Sequence, residues 1–188
     1  MNWTTYISLF EDIVSKENTT PPYDNEDYHN YTSLNQSRQN RWLKRGEITP
    51  ELTTEIENIS ESQEWILITE PWCGDAAHIA PFIFMASQLN DKIDFKINLR
   101  DAENSIIQDY LTNGKSMSIP ILVVRDKDGT DLFSWGPRPK DAQAILARHK
   151  NETDKSQEEK KIEFQGWYNK NKGADAQKEL IEKFQSLG

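Results

Sequence analysis

The 188-residue sequence predicts an α/β domain: a mixed central sheet flanked by helices, with additional helices at both ends. Three observations carry that expectation. Residues 64–69 (EWILIT) and 93–99 (IDFKINL) have strand composition, and a helical segment separates them. Residues 121–125 and 130–135 flank the turn Asp126-Lys127-Asp128-Gly129 and read as a β-hairpin. Both ends of the chain carry apolar residues at the three-four spacing that lines one helix face.

Trp3, Tyr6, Ile7, Phe10, Ile13 and Val14 predict the first helix, which Thr19, Thr20, Pro21 and Pro22 interrupt. A second helix is expected from about Thr32 to Arg45, stopping at Gly46. Its Arg38, Arg41 and Arg45 share one face and read as solvated. Thr49 is placed as the N-cap of a third helix, with Pro50 at its first position and Leu52, Ile56 and Ile59 inward. The EWILIT strand then passes through Pro71-Trp72-Cys73-Gly74 into a helix carrying Ile79, Phe82, Ile83, Met85, Ala86 and Leu89. After the second strand, Ile106, Ile107, Tyr110 and Leu111 predict a helix ending at Asn113-Gly114. The hairpin follows, and Pro139 to His149 is a further helix.

Strand, helix, strand, helix, hairpin, helix gives two parallel strands followed by an antiparallel pair. Residues 151–161 are highly charged and read as a solvated hinge or helix start. Beyond them Ile162, Trp167, Tyr168, Ala176, Leu180, Ile181, Phe184 and Leu187 predict one or two docking helices. The expected organisation is a helical extension packed on the core over residues 1–61, the α/β domain over 62–150, and a second helical extension over 151–188.

Acids outnumber bases 31 to 22, for a net charge of −9. That field repels phosphate backbones and anionic headgroups, so neither nucleic acid nor a membrane surface is an expected partner. No apolar run approaches the roughly 20 residues that span a bilayer. Residues 2–15 lack the basic start and small-residue cleavage site of an export signal. A single cysteine excludes an internal disulfide and fits a reducing compartment, so the expected location is cytoplasmic. One cysteine and three scattered histidines make a structural metal site an unpromising reading, and none is assigned.

The segment Trp72-Cys73-Gly74-Asp75-Ala76 resembles the Trp-Cys-Gly-Pro-Cys motif of the thioredoxin family. Ile79-Ala80-Pro81 is similar to that family's kinked helix, and Ser118-Ile119-Pro120 to its cis-proline before the hairpin. Gly136, between last strand and last helix, is another position the family often keeps. The resemblance covers about residues 62–150 and implies a thioredoxin-like fold; the flanking helices look like those of a bacterial subfamily. It further implies that Cys73 lies beside a cis Ile119-Pro120 bond whose backbone grips an extended chain.

A cysteine where a strand feeds a helix lies near unpaired N–H groups and the positive end of the helix dipole, which favour thiolate. The sulfur is therefore expected at or next to the helix start and at least partly accessible. Trp72 offers an apolar wall, and Gly74 leaves the approach open. Three departures weigh against ordinary thioredoxin chemistry. Ala76 stands where the resolving cysteine belongs, Asp75 adds a negative charge, and Leu67 occupies the position of the family's buried acid. Arg138 or Arg100 could offset Asp75. His78, about 140° round the helix from Cys73, reads as a structural histidine, and His29 falls in a loop.

The leading expectation is a protein with one active thiol, exchanging at Cys73 with a protein disulfide or small-molecule thiol. The alternative is a non-catalytic module that holds an extended peptide or partner at the cis-proline groove. Cys73 is the candidate catalytic residue, and Trp72, Gly74, Asp75, Ile119, Pro120 and Arg138 are the candidate binding residues. No cofactor is assigned, because the sequence carries no motif for a glutathione-bound iron–sulfur cluster.

Overall fold

The computed structural model of the chain describes residues 1–16 and 20–187, so the expected break at Thr19 lies outside the described residues. Asn2 opens the first helix, α1 (Trp3–Val14), by accepting the Thr5 N–H, and the buried Trp3, Tyr6, Phe10 and Ile13 form its inner face. The second helix, α2 (Glu26–Arg45), begins six residues before the expected Thr32. Asn25 caps it, and Glu26 and Asp27 complement the positive end of its dipole. His29 accordingly lies on a helix rather than in a loop. Helix α3 (Pro50–Glu57) starts at the Thr49 cap with Pro50 in its first turn.

Strand β1 (Gln63–Thr69) runs parallel to β2 (Ile93–Leu99) and antiparallel to β3 (Ile121–Arg125), and β3 pairs antiparallel with β4 (Asp131–Trp135). The order β2-β1-β3-β4 makes β1 a central strand. Its last five residues are all buried, because one face packs against each side of the sheet. Trp65 and Leu67 enter the larger core, while Ile66 and Ile68 enter a smaller one that also contains Cys73, Ala76, Ile107, Ile119, Ile121 and Val123.

Helix α4 (Gly74–Ser87) leaves β1 through the motif and contains Pro81. The helix expected over residues 106–111 is a single 3-10 turn, Ile107–Tyr110. Local bonds claim its first amides: the Ile106 N–H donates to the Asn98 side chain and the Ile107 N–H to Ser105. Asn113 and Gly114 then turn the chain through left-handed conformations. The remaining helices are α5 (Lys140–Asn151), α6 (Gln157–Asn171) and α7 (Ala174–Gln185), so seven α-helices flank the sheet among the described residues. Gly173, at φ +77°, reverses the chain between α6 and α7, and a Cβ there would stand 2.7 Å from the Phe82 ring. Phe164, Tyr168, Leu180 and Phe184 from these last helices join the larger core.

Candidate functional site

Cys73 is the N-cap of α4, at the junction the sequence assigns it. Its Sγ accepts the Ala76 N–H at 3.5 Å and donates to the Ile119 carbonyl at 3.5 Å. The expected access to sulfur is overturned: Cys73 is 6% exposed. Ile66, Ile68, Ala76 and Ile119 surround it, and Trp72 packs over that cluster. Burial pushes the thiol up to about 12, and Asp75 adds to the rise; the Ala76 and Asp75 N–H groups and Arg138 only partly oppose it.

The Ile119–Pro120 peptide is cis. Ile119 is 4% exposed and Pro120 is buried, so neither offers much side-chain surface to a ligand. Trp72 is half-buried, with the Arg100 guanidinium 4.5 Å from its ring centroid and Tyr28 edge-on at 5.8 Å. Beneath, the Asn35 amide donates to the Pro71 carbonyl and fixes α2 to the motif.

Asp75 and Arg138, 63 residues apart, meet through Nε and Nη2 bonds of 2.9 and 2.5 Å to one carboxylate oxygen. The other oxygen accepts the Tyr168 hydroxyl at 2.7 Å. Arg100 instead pairs with Asp101. His78 is buried as the structural histidine expected: Trp42 Nε1–H donates to its Nδ1, its Nε2 meets Gln165, and Tyr168 stacks on it at 4.5 Å. Burial lowers its pKa to about 4, which keeps the ring neutral.

Three features escape sequence reasoning. Leu67 is apolar and fully buried, yet a different carboxyl, Glu70, is 4% exposed beside the motif. It accepts the Asp101 N–H at 2.8 Å and the Tyr23 hydroxyl at 3.4 Å, and burial raises it to about 7. Its only signal is an acid at the end of an apolar run. Tyr168 and Gln165 reach the motif from α6, with no local signal at all. The third is a groove of about 950 Å³ between α2 and α6, lined by Tyr28, Tyr31, Leu34, Arg38, Trp72 and Ile162 among others. Here the solvated arginine face is corrected. Arg38 and Arg41 are half-buried because α6 lies alongside: Arg41 donates to Asn169 and lies over Trp42 at 4.4 Å. Arg45 alone is exposed.

Among the described residues one group has metal-ligand geometry: His149, Glu152 and Glu163, with ligand atoms within 4.8 Å of one another. Lys155 and Arg148 already ion-pair with both carboxylates, so the cluster is a salt-bridge network in this structure. No helix among the described residues is long and apolar enough to cross a membrane.

A family model described as thioredoxin matches residues 22–160. Among solved structures, a protein of unknown function from Pseudomonas aeruginosa superposes with a TM-score of 0.61 at 13% identity, covering 100% of this chain and 93% of its own. An HIV epitope scaffold does so with a TM-score of 0.55 at 16% identity, covering 99% of each. At these identities the likeness is one of fold. No curated protein matches the chain.

Proposed function

The chain belongs to the thioredoxin family, and from that footing we propose that it works as a non-catalytic binding module whose ligand surface is the α2–α6 groove beside Trp72. The observation that carries this reading is the enclosure of Cys73, 6% exposed and held between Ile119 and Ala76. With its thiol pushed up to about 12, chiefly by burial, Cys73 stays protonated at neutral pH and is a poor nucleophile. Ala76 supplies no second thiol to release a mixed disulfide.

Thiol chemistry, the leading expectation of the sequence, therefore gives way to the alternative. The proposed binding surface is accordingly the groove that Trp72 lines rather than the cis-proline side. There, Tyr28, Tyr31, Leu34 and Ile162 are each more than a third exposed and converge on one concave wall. Such apolar exposure around a cavity of ligand size is the signature of a recognition site. The lone cysteine supports a reducing, cytoplasmic setting.

Two measurements test the reading together. A disulfide-reduction assay with a protein disulfide and a chemical reductant is expected to run at the uncatalysed rate. Calorimetric titration with 2-naphthamide, an uncharged aromatic probe, is expected to give binding that Tyr31→Ala weakens and Cys73→Ser leaves unchanged. Turnover that Cys73→Ser abolishes would overturn the proposal.

A further inference from the structure

Seven arginines punctuate the sequence, and their partners divide them. Arg100, Arg125, Arg138 and Arg148 each have a carboxylate within 4 Å. Among the described residues the three on α2 have none, although acids outnumber bases across the chain. Arg45 is exposed and needs none. Arg38 is half-buried in the groove, where burial and the neighbouring Arg41 both disfavour its charge and lower its pKa. One of its five N–H donors is used, Nη1 bonding Asn35 at 2.8 Å. The others have no hydrogen-bond partner among the described residues and stay in contact with solvent where Arg38 lines the groove. A half-buried guanidinium that lines the groove with no carboxylate of the described residues within 4 Å is open to an anionic ligand.

The rest of the lining defines that ligand. At the other end of the groove Lys161 bonds the Tyr31 hydroxyl and feels the negative field of Glu158 and Asp27. Those acids repel polyanions, whereas among the described residues the Arg38 end has a cation with no carboxylate within 4 Å. Between the ends lie Tyr28, Tyr31, Leu34, Trp72 and Ile162. Gly74 contributes no side chain: a Cβ there would lie 4.0 Å from Arg38 Nη1, so the motif backbone borders the charge at close range. The volume of about 950 Å³ sits at the upper end of small-ligand sites, roughly 300–1,000 Å³.

We infer that the groove binds a small organic monocarboxylate with an aromatic or branched apolar body, its carboxylate forked against Arg38 and its body against the Tyr31–Ile162 wall. This rests on the binding-module reading and names the ligand class for the same groove. Recognition is by charge pairing with a planar donor that a lysine reproduces only as a point charge.

The test compares 2-naphthoate with 2-naphthamide by calorimetry on the wild type, Arg38→Gln and Arg38→Lys, with thermal melts confirming that each variant folds. Naphthoate is expected to bind the wild type, to lose at least tenfold in affinity in Arg38→Gln, and to fall in between for Arg38→Lys. Naphthamide is expected to bind all three alike. Raising salt on the wild type should weaken naphthoate and leave naphthamide unchanged, a measurement that holds even if a variant does not fold. Equal binding of naphthoate to all three proteins, with no salt dependence, would overturn the carboxylate inference while the groove reading stands. Binding of neither probe to the wild type would overturn both.

Discussion

Glu70 is 4% exposed, with its carboxylate between the Asp101 N–H and the Tyr23 hydroxyl, and burial raises it to about 7 from 4.5. The Asp101 N–H opposes the rise, the Asp101 carboxylate adds to it, and Arg100 and the Tyr23 hydroxyl oppose it. The folded state therefore keeps this proton to higher pH than the unfolded chain does. Its contribution to stability is complete below pH 4.5 and is lost as pH rises through about 7. At 1.36 kcal/mol per unit the loss is at most about 3 kcal/mol. His78 acts in the opposite sense: burial lowers it from 6.5 to about 4, so its contribution is present above pH 6.5 and lost as pH falls toward 4. The difference between wild type and Glu70→Gln in urea unfolding, followed from pH 4 to 8, isolates the carboxyl. The variant is expected to gain on the wild type progressively as pH rises; parallel profiles would contradict the assignment. Cys73, Trp72 and the proline at 120 were legible because their neighbours in the chain announce them. Glu70 was not, since its burial depends on Tyr23 and Asp101, 47 and 31 positions away.

Between elements, Asp75 is the tie that joins the start of α4 to the segment before α5 and to α6. Its side chain is 11% exposed and that of Arg138 22%, so breaking the pair strands a half-buried guanidinium and the Tyr168 hydroxyl. Asp75→Asn is expected to cost about 2–3 kcal/mol in urea unfolding. Amide exchange along α6 should accelerate more than in β1. A change under 0.5 kcal/mol would show that the ion pair is idle. The sequence pairs Arg138 with Asp75 as one of two candidates, yet gives no hint of Tyr168, because a tyrosine on an amphipathic helix reads as core. Elements with strong caps and turns were legible, as at Thr49 and the Asp126–Gly129 turn. The segment at 106–111 misled because its apolar spacing is helical while Asn98 and Ser105 take its first amides.

At the scale of the whole molecule, the terminal helices share one core with the sheet. Phe184 of α7 stacks on Trp65 at 5.5 Å and meets Phe133 edge-on at 5.0 Å. Phe184→Ala is expected to destabilise the chain by about 3–4 kcal/mol. Far- and near-ultraviolet dichroism should still melt together; separated transitions would mean that α7 docks independently. The same shared core is why an enclosed thiol and an open groove can adjoin one motif, since α2 and α6 frame the groove while residues of β1, β3 and α4 close over Cys73. The alkylation rate of Cys73, measured across denaturant concentrations below the unfolding transition, tests this most directly. If the thiol is sealed by the fold, labelling proceeds only through opening of the molecule. The rate in native buffer is then expected to be slower than in the unfolded chain by about 10³-fold or more, and to rise with denaturant along the slope of global unfolding. Fast labelling in native buffer, flat with denaturant and persisting at acid pH, would place a reactive thiolate at the surface and contradict the binding-module reading.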